Sequence, residues 1–295
     1  MRGDPAAHEL IAGGSLPHVL SQLSSAPGAW MPIAGGTELM VAHAAGRLST
    51  LKLISVWGLA ELGFIRVSDD WISVGGGVTF GEIRRHAGIA AAFPLLSRAA
   101  SWIGSIANQN RATLAGNIVN GSPAADAPPA LLVYDAEIEL ISQRGSRRLP
   151  YSEFHLGYKQ SMLEPDELVL GLHLPRRFAR HAQYLRKVGT RRAMAITKVA
   201  LAGTAIVDDG RISEIRLAAA SVADRPVRMA ATENALLGNR LSSETRRAAR
   251  SALLSEVRPI DDIRSTAEYR QHVAANLLDE FLDELAKSTR EGLNP

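Results

Sequence analysis

Between Arg111 and Asp126 the chain reads RATLAGNIVNGSPAAD, a run of Gly, Ala, Ser and Asn that ends on a carboxylate. A packed helix or strand would set larger apolar groups at a regular spacing, so this stretch points to backbone brought close to something other than protein. A second small-residue segment, WMPIAGGTELM at 30–40, reads as a short apolar strand, a Gly35-Gly36 turn and a helix capped by Thr37. Glycines there let backbone N–H groups face outward at the positive end of a helix dipole, which suits an anion; a plain tight turn is the other reading. The known phosphate fingerprints do not apply. The chain has no G-x-x-x-x-G-K-[ST] and no G-x-G-x-x-G, and Gly75-Gly76-Gly77 lacks the spacing.

The 295 residues, 46% of them hydrophobic, suffice for a sizeable core divided over two domains. No apolar run reaches the length of a membrane span, and MRGDPAAHEL lacks the order of a secretory signal, so a cytoplasmic protein is expected. With no Cys, the chain offers neither a thiolate nucleophile nor thiolate ligands for an iron–sulfur cluster. Its net charge is +3, but Lys and Arg (33) nearly balance Asp and Glu (30). The basic pairs Arg147-Arg148, Arg176-Arg177 and Arg191-Arg192 are scattered and not interleaved with aromatics, which argues against nucleic acid. No two of the eight His fall at the spacing that would bring both imidazoles to one helix face, so no metal site is expected.

Strand and helix signals alternate irregularly. Ser15 caps a helix with Pro17 in its first turn and an apolar stripe of Leu16, Val19, Leu20 and Leu23. LKLISV (51–56), WISVGGG (71–77) and EIELIS (137–142) read as strands, with helices from Thr79 and over 93–102. Short antiparallel segments beside helices favour α+β over a doubly wound sheet. A second domain begins near Pro175. ELVLGLHL (167–174), QYLRKV (183–188), VALAGTAIV (199–207) and RISEIRLAAA (211–220) are strand-like, and Asp208-Asp209-Gly210 is a hairpin turn. Helices follow over 227–237, over 243–256 and from Ser265, the last with Tyr269, Val273, Leu277, Phe281 and Leu285 in one stripe.

These motifs resemble a known family. AGGTELM is similar to AGGTDLM, and TLAGNIVNGSPAAD to TIGGNIANASPAAD, in the FAD-binding (medium) subunits of molybdenum hydroxylases of the xanthine and carbon monoxide dehydrogenase type. The likeness continues through YKQ, DELVLGLHLP and STAEYRQHVAANLL, nearly the whole chain. It implies an α+β fold in which two small α/β subdomains, divided near residue 58, clasp FAD in a PCMH-type domain over 1–175. A C-terminal domain of a three-stranded antiparallel sheet and helices then occupies 176–295.

Carried over by position, Ile33, Ala34, Gly35, Gly36, Thr37 and Glu38 are expected around the pyrophosphate, and Thr113, Ala115, Gly116 and Asn117 form the second segment. Asp126 is a polar anchor, Ile103 and Val169 pack on the flavin, and Lys187 lies near its pyrimidine end. Read from the residues alone, Asp126 could instead cap a helix over 127–134, Lys187 could be a solvated strand residue, and Asn117 and Asn120 could serve only turn backbone. Three departures stand out: Glu38 for Asp, Ala115 for the first glycine of GGN, and Ala107-Asn108-Gln109 where Gln-Ile-Arg is usual. A methyl at Ala115 would cost room if the cofactor approaches there or φ is positive.

The resemblance further implies non-covalent FAD with no acid–base residue and no metal on this chain. It also implies a large molybdopterin subunit and a small subunit with two 2Fe-2S clusters as partners, assembled as a dimer of heterotrimers. Electrons would pass to NAD or another acceptor, with a xanthine or N-heterocycle substrate oxidised in the large subunit. A stand-alone flavin oxidoreductase and a flavin-less assembly scaffold are the alternatives.

Overall fold

In the computed structural model, which describes residues 4–50, 52–191 and 193–290, the chain builds three principal sheets. Leu51 and Arg192, members of a strand and a basic pair read from the sequence, lie outside the described residues. The first lobe is a parallel sheet of β1 (Glu9–Ala12), β2 (Met31–Ile33) and β3 (Lys52–Ser55) in the order β1-β3-β2. Helix α1 (Leu16–Ser25) joins β1 to β2. Ser15 caps it by accepting from the His18 N–H, and Leu16, Val19, Leu20 and Leu23 are buried in one cluster with Ile54 and Val56.

The second lobe contains β4 (Ile65–Val67), β5 (Trp71–Gly75), β6 (Glu137–Ser142) and β7 (Gly145–Pro150), then the small hairpin β8 (His155–Gly157) and β9 (Gln160–Ser161), then β10 (Leu168–Pro175). Its sheet is antiparallel in the order β4-β5-β10-β6-β7. Alternate residues of β5 and β6 turn inward, and Ile72, Val74, Ile138 and Leu140 share a core with Phe80, Ile83, Leu96 and Tyr134. The ELVLGLHL strand, read from the sequence beside the strands of the second domain, is instead the central strand of this sheet. It is paired on both edges, and its apolar run follows from burial of both faces, with Leu172 and Leu174 in the core of this lobe and Leu168 in that of the first.

Beyond residue 180 come β11 (Ala182–Val188), β12 (Val199–Asp208), β13 (Arg211–Ala220) and a two-residue β14 (Val227–Arg228), an antiparallel sheet in chain order. The expected three strands are present with this short fourth one added, so the following helix begins at Ala230 rather than 227. Asp208 pairs with Arg211 across a two-residue turn in which Asp209 and Gly210 both have positive φ, at 50° and 73°. β12 is buried on both faces. Leu201 and Ala205 pack with Leu277 and Phe281, whereas Ala202 belongs to the core of the second lobe, as do Leu185 and Ala218. Small residues are required there because a Cβ on Gly203 would lie 2.9 Å from the Phe281 ring. The long helix Ala267–Arg290 buries Leu277, Phe281 and Leu285, while Tyr269, the first member of the expected stripe, is 41% exposed.

Candidate functional site

β2 and β3 run parallel and end side by side, with the Val56 N–H donating to the Ile33 carbonyl at 2.9 Å. The chain beyond β2 must turn out of the sheet through Ala34, Gly35 and Gly36. Gly36 has φ +73°, the left-handed region glycine enters without penalty. Gly35 is required for a different reason: a Cβ there would lie 1.7 Å from the Arg111 carbonyl oxygen. The two segments singled out in the sequence therefore touch, backbone to backbone, at Gly35 and Arg111. The expected Thr37 cap is not formed. The helix begins at Leu39 with Glu38 in the cap position, no side chain bonds its N-terminus, and it runs only to Ala44 with no buried residue. The backbone N–H groups of Gly36, Thr37 and Glu38 donate to no described residue.

The second segment is not the irregular backbone its composition suggests. Thr113 caps a short helix, Leu114–Val119, its hydroxyl accepting from the Gly116 N–H at 3.2 Å. The segment is stitched to the glycine turn after β5: Leu114 N–H donates to Val78, Ala115 N–H to Gly76, and Ala112 accepts from Phe80 N–H. Gly76 is where a side chain is forbidden, since its Cβ would lie 2.3 Å from the Val169 carbonyl oxygen and 3.0 Å from the Ala115 methyl. Ala115 is helical with φ outside the positive range, so its methyl meets no backbone strain. Gly116 is exposed, and a Cβ on it would meet only the Thr113 hydroxyl, at 3.0 Å. Asn117 carries a buried side-chain oxygen without a described partner, the situation of an acceptor awaiting a donor from elsewhere.

Asp126 and Lys187 are brought together from the second lobe and the C-terminal sheet. Lys187 Nζ donates to Asp126 Oδ2 at 2.7 Å and Thr197 Oγ1 to Oδ1 at 2.6 Å. Both charged side chains are nearly buried, 10% exposed for Lys187 and 11% for Asp126. Burial holds the Asp126 carboxyl above its usual pKa, against the opposing pull of the Lys187 charge and the hydrogen bonds from Lys187 and Thr197. Asp126 thus does not cap the helix Pro128–Val133, whose cap position is Ala127 with no side-chain bond, and Lys187 is not a solvated strand residue. Thr197 went unread in the sequence, where nothing distinguishes it from other strand-edge threonines.

Ile103 ends the helix Pro94–Trp102 and packs, half-buried, against the core of the second lobe. In the departing Ala107-Asn108-Gln109 stretch, Asn108 forms a reciprocal cap with Ser105, and Gln109 is buried, donating to the Ser101 carbonyl at 3.0 Å. Val169 is only 4% exposed and lies in the core, so its side chain offers little surface to a ligand; the neighbouring Leu170 is half-buried.

A row of N–H groups without described partners on one segment, and an exposed glycine and an unpartnered buried amide oxygen on the segment it touches, suit a long polar ligand with phosphates. Residues 8–177 match the family described as the FAD binding domain in molybdopterin dehydrogenase, and 184–285 the CO dehydrogenase flavoprotein C-terminal domain. The chain belongs to this flavoprotein family. It is 30% identical over 254 residues to a xanthine dehydrogenase FAD-binding subunit of Escherichia coli O157:H7, covering 85% of this chain and 87% of that one. It is 29% identical over 267 residues to the nicotinate dehydrogenase FAD-subunit of Eubacterium barkeri, covering 88% and 90%. The fold matches a chain of carbon monoxide dehydrogenase from Hydrogenophaga pseudoflava with a TM-score of 0.90 at 26% identity, covering 95% and 97%. This flavoprotein subunit is thus an FAD-binding component of an oxidoreductase of the molybdenum hydroxylase group.

Proposed function

We propose that this subunit holds FAD, without a covalent link, between the Gly35-Gly36 turn and the Thr113–Asn117 helix start, and relays electrons through it. The observation that carries the reading is the contact of Gly35 with Arg111, which brings the two segments side by side. The N–H groups of Gly36, Thr37 and Glu38 would donate to phosphate oxygens, and the Asn117 oxygen would accept from a hydroxyl or N–H of the cofactor. Asp126 and Lys187 would lie toward the flavin ring, with Ile103 and the backbone near Val169 beside it. FAD supplies the redox chemistry, taking electrons singly and releasing them as a pair.

The chain's own residues then bind and orient. With no Cys it cannot ligate an iron–sulfur cluster by thiolate, so electrons would come from 2Fe-2S clusters on a small partner and ultimately from molybdopterin on a large one. NAD would be the acceptor and a xanthine-like N-heterocycle the substrate of the complex. The xanthine and nicotinate dehydrogenase relatives support that choice. We place the complex in the cytoplasm as a dimer of heterotrimers; no described helix is long and apolar enough to cross a membrane. The FAD-binding domain would end at 175, its two subdomains dividing near 58.

Purification with its partners should yield about one FAD per chain, released intact by acid, and substrate-dependent NAD reduction. A complex without flavin would overturn the site. One that is flavin-loaded but inert toward NAD would overturn only the acceptor.

A further inference from the structure

A dinucleotide's diphosphate brings two negative charges into the crevice, and the segments lining it contain nothing to balance them. Residues 33–38 end on Glu38, residues 113–117 are neutral, and Lys187 is already matched by Asp126. Arg111 stands apart. Its carbonyl oxygen sits against Gly35, which fixes its backbone beside the Gly35-Gly36 turn. Its guanidinium lies 3.9 Å from the Trp57 ring centroid and makes no ion pair with a described carboxylate. Trp57 follows the end of β3 as Gly35 follows the end of β2, and Ile33 pairs with Ser55 in that parallel register. Trp57 and Gly35 therefore occupy the same level at the carboxyl edge of the sheet, the edge at which open α/β sheets take their ligands.

Resting on the reading that FAD binds in this crevice, we propose that Arg111 is the counter-cation of its diphosphate, held over the crevice by its stack on Trp57. A guanidinium suits the task. Its face can lie on an indole while its N–H edge remains free for phosphate oxygens, and the stack restricts the side chain before the ligand arrives. Lysine would keep the charge and lose the planar stack. Trp57, 39% exposed, has a face available for this contact that a buried tryptophan would not.

The test uses the full chain stripped of flavin and titrated with FAD, ADP and riboflavin at two salt concentrations. R111Q should weaken FAD and ADP roughly ten- to hundredfold, flatten the salt dependence of FAD binding and leave riboflavin, which has no phosphate, unchanged. R111K should fall between R111Q and the wild type, and W57L should weaken FAD less than R111Q does. The melting temperature without ligand should not move. Wild-type FAD affinity in R111Q overturns the proposal, and so does an equal loss for riboflavin, which would make Arg111 a latch between lobes rather than a charge partner. If R111Q fails to fold, R111K and W57L carry the test by the same criteria. A wild-type chain that binds neither FAD nor ADP overturns the FAD site itself, a result distinguishable from either of these.

Discussion

Gly35 and Gly116 come from the two segments that meet at Gly35 and Arg111, and both look like ligand-motif glycines in the sequence. Their surroundings are opposite. A Cβ on Gly35 would overlap the Arg111 carbonyl, 1.7 Å from its oxygen and 2.4 Å from its carbon, whereas a Cβ on Gly116 would meet only a hydroxyl at 3.0 Å. The first glycine lets the protein touch itself; the second is exposed and has only the Thr113 hydroxyl beside it. Apparent equivalence in a motif thus conceals two demands, one made by the fold and one made by the proposed ligand.

The largest effect follows from breaking the first demand. Gly35→Ala must push the lobes apart at Arg111 or shift the end of β2, an overpacking that costs about 3 kcal/mol and separates the two segments. Thermal unfolding should show the loss of stability and absorbance the loss of flavin together. A variant that melts like the wild type would mean that the lobes separate freely at this point.

Gly116→Val tests the second demand and should dissociate the two readouts. Valine is a better helix former than glycine, which offsets the 3.0 Å approach of its Cβ to the capping Thr113 hydroxyl, so stability should change by no more than about 1 kcal/mol, while the exposed side chain obstructs the proposed ligand. FAD affinity should fall at least about a hundredfold, equivalent to some 2.7 kcal/mol, by fluorescence titration. A folded variant that keeps its flavin would move the ligand away from Gly116.

Lys187→Met asks whether the C-terminal sheet contributes charge to the site. The substitution removes a cation but leaves Asp126 buried beside Thr197, and without Lys187 the carboxyl pKa rises further. A carboxyl with a folded-state pKa above its unfolded value binds more protons folded than unfolded between those two values. The variant's stability should therefore fall as pH rises through that window, by about 1 to 3 kcal/mol, which melts at several pH values would show. Removing the cation beside the proposed flavin site should lower the flavin potential by about 30 mV, equivalent to some 1.4 kcal/mol. In Asp126→Asn, where the ammonium stands alone, it should rise. Equal potentials in all three proteins would show that the pair joins domains and does not influence the flavin.

Most local signals survived the passage from sequence to structure, the Thr37 cap excepted, and long-range ones did not. The Ser15 cap, the helix start at Thr79 and the Asp209-Gly210 turn form where their residues predict, because each is decided within a few positions. The helix Leu114–Val119 was illegible: Gly116, Asn117, Ile118 and Val119 are weak helix formers, and the turn is held by the Thr113 cap and by bonds to Gly76 and Val78. β10 was placed beside the wrong strands because its partners precede it by long stretches of chain. The pairing of Asp126 with Lys187 spans 61 positions, and Trp57 under Arg111 carries no mark at all in a single sequence. What positions the candidate site is mostly of this second kind, so its residues could be named from a resemblance while their contacts could not.

The smallest effect is expected at Ala115, the departure that looked most damaging. Its N–H is bonded to Gly76, it lies in the first turn of the helix, and its methyl faces Gly76 at a distance that would be 3.0 Å to a Cβ placed there. Room for the methyl is thus supplied by the missing side chain across from it rather than taken from the crevice. Ala115→Gly should lower stability by about 0.5 to 1 kcal/mol, the cost of glycine within a helix, and leave FAD affinity within about twofold, a difference of some 0.4 kcal/mol. Gly76→Ala should do the reverse of a harmless change, since its Cβ would meet the Val169 carbonyl at 2.3 Å. Titration of both variants decides where the constraint lies. A tenfold gain in FAD affinity for Ala115→Gly would put the methyl against the cofactor and make Ala115, like Gly116, a residue whose surroundings are completed by the ligand.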